Sequence, residues 1–404
     1  HNYSRCPGTL VMTLDLTRRD AIRTAMVSSA GFLAWLSRTS PSLAQQAGEG
    51  ELVSFVDEPR TPANRLDWEM LDSWLTPQDQ VFSVQHYGVP EFEYNDYRLE
   101  IGGLVERPRS LSLADIQAMP KVECVMTLEC SGNGSNPGFM NAVYNSRWGG
   151  TPLAPLLKEC GVDPKTTEVV FFGKDSKEET LRQGTPRELT VEVPFGRSMS
   201  LTDALRPDLL LAYERNGEPI EHRNGAPIRL IVPGWYGIAN VKWLSRIECR
   251  DRRYMGRYMA RDYVTVRGER NADSVTYVET SVTRINIKSV VARVTRQEGV
   301  DGKIPVSTFG AAWDDGTGIS KVEVRFDERD WQAARIHDEP WAEYGWRFFS
   351  TDPVLLEPGE HTVVSRATNT EGRMQPTADD DEIALKKTYW EAYQQWPRKI
   401  ALAS

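Results

Sequence analysis

The sequence is poor in the residues that most often mark a metal cluster, a covalent haem or a membrane span. Its 404 residues include five cysteines and five histidines. No Cys-x-x-Cys-His motif occurs, which excludes covalent haem attachment by that motif, and the histidines lack the spacing of a zinc site. An apolar stretch at residues 21–36 is interrupted by Ser, Thr and Arg and is shorter than the roughly 20 residues of a spanning helix.

Positive charge is also scarce. The chain has 48 Lys and Arg against 57 Asp and Glu, a formal net charge of −9 at pH 7. Nucleic-acid affinity comes from neutralising phosphates, so an acidic chain is a poor candidate for that class and suits a basic protein partner better. With 40% hydrophobic and 26% charged residues, the composition is typical of a soluble globular protein. The length favours roughly two domains plus an end segment.

The amino end has the order of a secretory signal. Thr17-Arg18-Arg19-Asp20 precedes the apolar stretch, and Ser42-Leu43-Ala44 follows it as a small-residue cleavage site. The paired arginines resemble a twin-arginine export signal, a route that carries folded proteins. Residues 1–44 are therefore expected to be a signal peptide with leading residues, the mature protein to be periplasmic, and a cofactor inserted before export.

The remainder predicts an α+β protein. Residues 45–80 are polar and punctuated by proline, and are interpreted as an N-terminal arm. Residues 81–265 mix short helices with strands, whereas residues 266–404 contain short strands separated by turn clusters, as in an immunoglobulin-like β-sandwich. Predicted helices are 112–119 and 153–160; predicted strands are 97–105, 122–128, 168–172, 227–232, 241–249, 303–313, 319–327, 331–336, 346–351 and 361–369.

Cys130 has the most suggestive surroundings. A predicted strand leads directly into Cys130-Ser-Gly-Asn-Gly-Ser, so a thiol lies where the strand gives way to a loop. A soft thiolate in this position suits a soft metal or nucleophilic chemistry. A buried cysteine that only packs is the alternative, and the residues alone leave both open.

Four stretches resemble, in order, motifs of the sulfite oxidase family of molybdenum enzymes. They are Phe-Ser-Val-Gln-His-Tyr-Gly-Val-Pro at 82–90, Leu-Glu-Cys-Ser-Gly-Asn at 128–133, the segment from 211 to 234 containing Asn-Gly-Glu-Pro and Pro-Ile-Arg-Leu-Ile-Val-Pro-Gly, and Asn-Val-Lys-Trp-Leu at 240–244. The second is similar to the family's Cys-(Ala/Ser)-Gly-Asn, whose cysteine ligates molybdenum. The resemblance implies a molybdopterin-binding catalytic domain over residues 81–265 and a dimerisation domain over 266–404.

Roles follow from the resemblance position by position. It implies that Cys130 and Tyr263 are catalytic residues, that Cys130 is the metal ligand, and that His86, Asp175, Asn224, Arg229, Asn240 and Lys242 contact the cofactor. The cationic members suit the cofactor's phosphate.

The chain departs from the family pattern where positive charge is usual. Val84 replaces an arginine, Asn224 replaces a histidine, and Gly134 and Ser135 replace arginines that commonly follow the cysteine motif. Because a sulfur oxyanion requires positive charge around it, these changes leave the substrate open. Arginines that are candidates to restore the charge are Arg257, Arg261, Arg347 and Arg366.

The implied activity is oxidation of sulfite to sulfate by oxygen-atom transfer at a molybdenum–pterin centre. No haem is expected in the chain, so electrons are expected to pass to a separate c-type cytochrome, and the protein to be a homodimer. Three alternatives stay open: a sulfane-sulfur dehydrogenase subunit of a thiosulfate-oxidising system, a sulfoxide reductase on the same fold, and a non-catalytic β-sandwich binding protein.

Overall fold

Two five-stranded sheets, a two-stranded ribbon and a β-sandwich organise the described residues. The structure, a computed structural model, describes residues 50–57, 65–136 and 139–403. The predicted signal peptide lies outside the described residues. The described residues cluster as one compact unit, and the proposed domain boundary at 265 stays a prediction.

The first sheet contains the strand that leads to Cys130. Its order is β10-β8-β5-β4, and β9 pairs with β8. The strands, numbered in chain order, are β4 (Val122–Glu129), β5 (Val143–Pro152), β8 (Leu210–Arg215), β9 (Glu218–Pro219) and β10 (Arg229–Ile231).

A second sheet has the order β3-β2-β11-β6-β7, and its β11–β2 pair is parallel. Its strands are β2 (Leu99–Gly103), β3 (Arg109–Leu111), β6 (Glu168–Leu181), β7 (Leu189–Ser200) and β11 (Leu244–Arg250). A separate two-stranded ribbon consists of β12 (Val264–Asn271) and β13 (Ser274–Ser281).

Two further sheets form a β-sandwich around one apolar core. One has the order β1-β14-β15-β19-β18, with β20 also on β15, and the other β17-β16-β21-β22. Their strands are β1 (Glu51–Val53), β14 (Lys288–Arg296), β15 (Ile304–Trp313), β16 (Ile319–Phe326), β17 (Gln332–Ala333), β18 (Arg335–Ile336), β19 (Arg347–Ser350), β20 (Val354–Leu356), β21 (Gly359–Asn369) and β22 (Arg398–Leu402). Val53 and Phe55 of the predicted arm lie in this core. The immunoglobulin likeness and the dimer stay predictions.

Helices are few and short among the described residues. They are α1 (Leu113–Gln117), α2 (Leu153–Cys160), α3 (Leu201–Ala204), α4 (Arg257–Ala260) and α5 (Asp381–Ala384), with 3-10 turns at Gln78–Gln80, Tyr94–Asp96, His222–Asn224 and Gly237–Ala239. None is long and apolar enough to cross a membrane. The first two confirm the predicted helices: Ser112 and Asp115 form a capping box at α1, and Gly161 ends α2 with a φ of 67°.

Candidate active site

One cavity collects most of the predicted site residues. It is lined by His86, Cys130, Asp175, Arg229, Asn240, Lys242 and Tyr263, together with Phe82, Tyr144, Phe195 and Trp243. The empty space, which includes open solvent at its mouth, is about 630 Å³. The lining residues come from the ends of strands in both five-stranded sheets and from the loops that follow them.

Cys130 begins the turn that follows β4. Its backbone N–H donates to the carbonyl of Ala142 at 2.9 Å, and its carbonyl accepts from Asn133 N at 2.9 Å. Burial raises the pKa of its thiol, so the free side chain is a neutral thiol at neutral pH. A soft cation bound to sulfur would stabilise the thiolate instead. Beside it, Ser131 Oγ has no hydrogen-bond partner among the described residues.

Two basic residues, Arg229 and Lys242, also line the cavity. Arg229 donates from Nε to the carbonyl of Asn240 at 3.2 Å and from Nη1 to that of Asn224 at 3.1 Å. Lys242 Nζ donates to the carbonyl of Val84 at 2.7 Å. Burial, followed by the charge of Arg229, lowers the pKa of Lys242 to about 7. The buried Arg229 and the partly buried Lys242, both held by neutral carbonyls, are suited to an anionic ligand, which would also favour the protonated form of Lys242.

The acidic group beside these basic residues is Asp175. Asp175 raises the pKa of Lys242, but burial raises the pKa of Asp175 itself to about 6. Its Oδ1 is buried and has no hydrogen-bond partner among the described residues. An acceptor without a donor and a surplus of cationic donors on one cavity are the features expected where a phosphate-bearing pterin binds.

Tyr263 and His86 meet at the mouth of the cavity. His86 Nε2 and Tyr263 Oη are 2.8 Å apart, and the tautomer decides which one donates. Burial, and next the charge of Lys242, lower the pKa of His86 to about 4, so the imidazole is neutral at pH 7. Burial also raises the pKa of Tyr263, with Cys130 as the next contribution. The pair is therefore uncharged and able to pass or share one proton.

Tyr263 is held from several sides. Its backbone has a φ of +57°, which is unusual for a residue with a side chain. Trp390 stacks on its ring with centroids 4.1 Å apart and an interplanar angle of 22°. Val282 N donates to its carbonyl at 2.9 Å. These contacts fix the phenol at the opening of the cavity.

An outer cleft adjoins the cavity and shares its mouth residues His86 and Tyr263. The additional residues that line this cleft are Arg257, Tyr258, Arg261, Asp262, Val264, Val266, Glu279, Thr388, Tyr389 and Trp390. Two of the four arginines singled out in the sequence therefore lie beside the site. The other two do not: Arg347 donates to the carbonyl of His337, and Arg366 pairs with Glu323 in the sandwich.

Glu179 reduces the positive charge of the outer cleft. Its carboxylate accepts from Arg257 at 3.0 Å and from Arg261 at 3.3 Å. Tyr87 Oη donates to the same carboxylate. Although burial opposes ionisation, these hydrogen bonds lower the pKa of Glu179, so it is charged at neutral pH. The cleft thus presents two arginines that are partly neutralised from behind.

The side chains of Asn240 and Asn224, the two asparagines predicted to contact the cofactor, make hydrogen bonds within the protein. Asn240 accepts from Val232 N at 2.8 Å and donates to the carbonyls of Trp235 and Tyr236. Asn224 donates from its side-chain amide to Glu221 Oε2 at 3.1 Å. Its backbone carbonyl accepts a hydrogen bond from Arg229, and Asn224 is not among the residues that line the cavity. His222, two residues earlier, contacts the carbonyl of Pro90 instead.

Sequence reasoning did not identify several residues near the site. Arg215 is 2% exposed, and none of its three guanidinium nitrogens has a hydrogen-bond partner among the described residues. Trp390 comes from the far end of the chain. A charged residue in an apolar strand was a visible signal for Arg215, whereas no local pattern distinguishes Trp390 from an ordinary surface aromatic.

Comparison with known proteins agrees with this geometry. Residues 86–258 match the family model described as oxidoreductase molybdopterin binding domain. The mitochondrial sulfite oxidase of Drosophila melanogaster is 29% identical over 360 residues, covering 82% of this chain and 60% of that protein. Sulfite oxidase of Arabidopsis thaliana is 27% identical over 334 residues, covering 76% and 84%.

A solved structure shares the fold. The sulfane dehydrogenase SoxCD from Paracoccus pantotrophus aligns with a TM-score of 0.68 at 24% identity, over 91% of this chain and 94% of that one. The chain spans about 60% of the length of the Drosophila relative. The Cys130 thiol, the unpaired Asp175 oxygen and the cations Arg229 and Lys242 fit a molybdenum–pterin group. The chain therefore contains an oxidoreductase molybdopterin binding domain, and over most of its length it is similar to the sulfite oxidases.

Proposed function

We propose that this chain is a periplasmic sulfite dehydrogenase, which oxidises sulfite to sulfate and passes the electrons to a separate c-type cytochrome. One observation carries the proposal: the Cys130 thiol and the hydrogen-bonded pair of Tyr263 and His86 line the same cavity. A bound molybdenum–pterin group would supply the oxygen-atom transfer and the two-electron redox change. The protein supplies binding, orientation and charge.

Each side chain has a distinct part in this function. Cys130 would hold the metal through sulfur, while Arg229 and Lys242 would bind the phosphate end of the pterin. Tyr263 Oη would donate a hydrogen bond to the substrate oxyanion and would receive or return a proton through His86. Trp390 excludes water from one side of the Tyr263 ring. Arg257 and Arg261 would attract the anion into the cleft.

A sulfane-sulfur substrate is the second candidate. The outer cleft is far larger than sulfite requires, with about 1270 Å³ of empty space that includes its opening to solvent. Its two arginines are partly neutralised by Glu179. Both features favour a larger and less charged substrate that presents a sulfur atom. The two candidates use the same metal ligand and differ in what occupies the cleft.

Metal analysis and a paired substrate assay test the proposal. We expect about one molybdenum per chain and reduction of a c-type cytochrome that depends on sulfite. Thiosulfate and a persulfide-bearing peptide, assayed at equal concentrations, serve as comparisons. Turnover with the persulfide alone would favour the second candidate, and protein without molybdenum after folding in a host that makes the cofactor would contradict both.

The Glu179→Gln substitution tests the role assigned to the cleft arginines. Removing a negative charge that contacts both guanidinium groups raises the positive potential of the cleft without a large change of shape. We expect KM for sulfite to fall by roughly threefold to tenfold at low salt, on the order of 1 kcal/mol of Coulomb energy, and the difference to shrink at high salt.

The matched control is Glu178→Gln. It makes the same charge change at an exposed neighbour on β6 and is expected to leave KM nearly unchanged. An equal fall of KM in both variants would show a general charge effect. An unchanged KM in Glu179→Gln would remove Arg257 and Arg261 from the substrate path.

A further inference from the structure

The turn that carries Cys130 is held at both ends by one buried ammonium group. Lys288 Nζ donates to the carboxylate of Glu129, the residue before Cys130. The same nitrogen donates to the carbonyl of Asn133, at the end of the turn, at 2.9 Å. Lys288 is the first residue of β14, so this contact reaches the turn from the sandwich.

The Glu129 carboxylate is fully used. Its Oε1 also accepts from Asn133 Nδ2 at 2.9 Å, and its Oε2 accepts from Trp313 Nε1 at 2.9 Å. Trp313 ends β15, the strand that pairs with β14. Two neighbouring strands of the sandwich therefore hold one carboxylate adjacent to the metal-binding cysteine.

The pair is buried far more deeply than an ordinary surface ion pair. The side chains of Lys288 and Glu129 are 1% and 0% exposed. Removing two charges from water is costly, and such a pair contributes little net stability compared with apolar residues of equal volume. Net stability therefore does not explain why a buried ion pair is found here. Its location offers a reason, because both described hydrogen bonds of the Lys288 ammonium group end on residues beside Cys130 in the turn, Glu129 and Asn133.

A second set of contacts comes from the C-terminal segment. Glu391 N donates to the carbonyl of Ser131 at 2.7 Å, and Gln394 Nε2 donates to that of Gly134 at 3.0 Å. These bonds hold Ser131 and Gly134, whereas Lys288 holds Glu129 and Asn133. The direction of the Cys130 thiol is thus set from outside its own sheet.

We propose that Lys288 is a positioning residue for Cys130: by bridging Glu129 and Asn133 it fixes the turn so that the thiol points into the cavity at a constant geometry. This inference rests on the proposed role of Cys130 as metal ligand. It does not depend on whether sulfite or another sulfur compound is the substrate.

The test compares three full-length holoenzymes with the parent. Lys288→Met removes the bridge and leaves the Glu129 carboxylate unpaired. A double variant, Lys288→Met with Glu129→Gln, removes the bridge without leaving a charge buried alone. Val291→Ala, on the same strand and in the sandwich core, serves as the control that weakens the fold without touching the turn.

Four quantities are measured on each protein: molybdenum per chain, the electron paramagnetic resonance spectrum of the half-reduced metal, turnover, and Tm. We expect both variants that lack Lys288 to lose metal or to show a shifted, broadened spectrum, with turnover lower by roughly tenfold to a hundredfold, as is usual for residues that orient metal ligands. Val291→Ala should lower Tm and retain the parental metal content and spectrum.

The outcomes separate a positioning role from a structural one. A double variant with parental metal content and spectrum would overturn the proposal, whatever its Tm. The same spectral change in Val291→Ala would also overturn it, because the effect would then follow stability alone. If Lys288→Met does not fold, the double variant decides. Failure of the metal-ligand role of Cys130 is recognised separately, by full molybdenum content in Cys130→Ser.

Discussion

Cys130→Ser is expected to remove nearly all bound molybdenum and, with it, the sulfite-dependent reduction of cytochrome. Serine preserves the size and the turn, since the backbone bonds of Cys130 to Ala142 and Asn133 do not involve sulfur. A hydroxyl is a harder and far less acidic ligand than a thiol, so it replaces the thiolate poorly at a soft metal. Metal analysis by mass spectrometry, normalised to protein, measures the loss.

Cys124→Ser is the matched control for this substitution. Cys124 lies on β4, the strand that leads to Cys130, six residues earlier, and is a free and partly buried thiol, but it is not among the residues that line the cavity. We expect its serine variant to keep the metal and the activity. Full molybdenum content and normal turnover in Cys130→Ser would show that the thiol only packs. Loss of metal in both variants would point to a folding defect.

Secondary-structure elements were predicted accurately where residues close together in the sequence specify them. Helices α1 and α2 agreed within two residues at each end, because a capping box and a terminating glycine specify helix ends through neighbours in sequence. The predicted strand at 168–172 extends to Leu181 in the structure. Its outer half is polar, with Asp175 and Glu179 buried and much of the remainder exposed. It pairs with β7 after a shift of register, so no alternation of apolar residues indicated it.

A charged partner that is distant in the sequence explains why strand β14 was not predicted. Strand β14 begins at Lys288, a residue type that is rarely buried. The position becomes favourable only because Glu129 lies beside it in the fold, 159 positions away in the chain. No pattern along β14 itself could indicate that partner, and the sequence analysis did not predict the strand.

The candidate site was predicted mainly through motifs that are short and collinear. Seven of the eight predicted residues line one cavity, and Asn224 is the exception. Residues that reach the site from distant segments were missed, as with Trp390 against Tyr263. Their roles depend on tertiary packing rather than on spacing. The assigned roles of all eight residues stay predictions, and the substitutions of Cys130 and Tyr263 test two of them.

Tyr263→Phe is expected to lower sulfite turnover by about tenfold to a hundredfold while the molybdenum content stays at the parental level. Phenylalanine keeps the ring that stacks on Trp390. It also has the same backbone preferences as tyrosine, so the positive φ of this position is no more strained than before. What is lost is the hydroxyl, which lies 2.8 Å from His86 Nε2. A hydrogen bond to a charged group contributes about 1.5–3 kcal/mol, and that range corresponds to the expected change in rate.

The distribution of the effect between kcat and KM shows when the hydroxyl acts. If Tyr263 bonds the substrate chiefly in the transition state, kcat and kcat/KM should fall together, whereas a bond that holds the bound oxyanion should appear as a higher KM. Tyr258→Phe is the control. Tyr258 also lines the outer cleft, and its ring centroid lies 4.6 Å from that of His86. Among the described hydrogen bonds, none joins Tyr258 to the His86 ring. Both parameters should stay near parental values in the control. Parental kinetics in Tyr263→Phe, with metal bound, would assign Tyr263 to packing. The imidazole of His86 is neutral above its pKa of about 4, so its own titration should not change the Tyr263 effect between pH 6 and 8. A pH dependence in that window would point to Lys242, whose pKa is about 7 and which lines the same cavity.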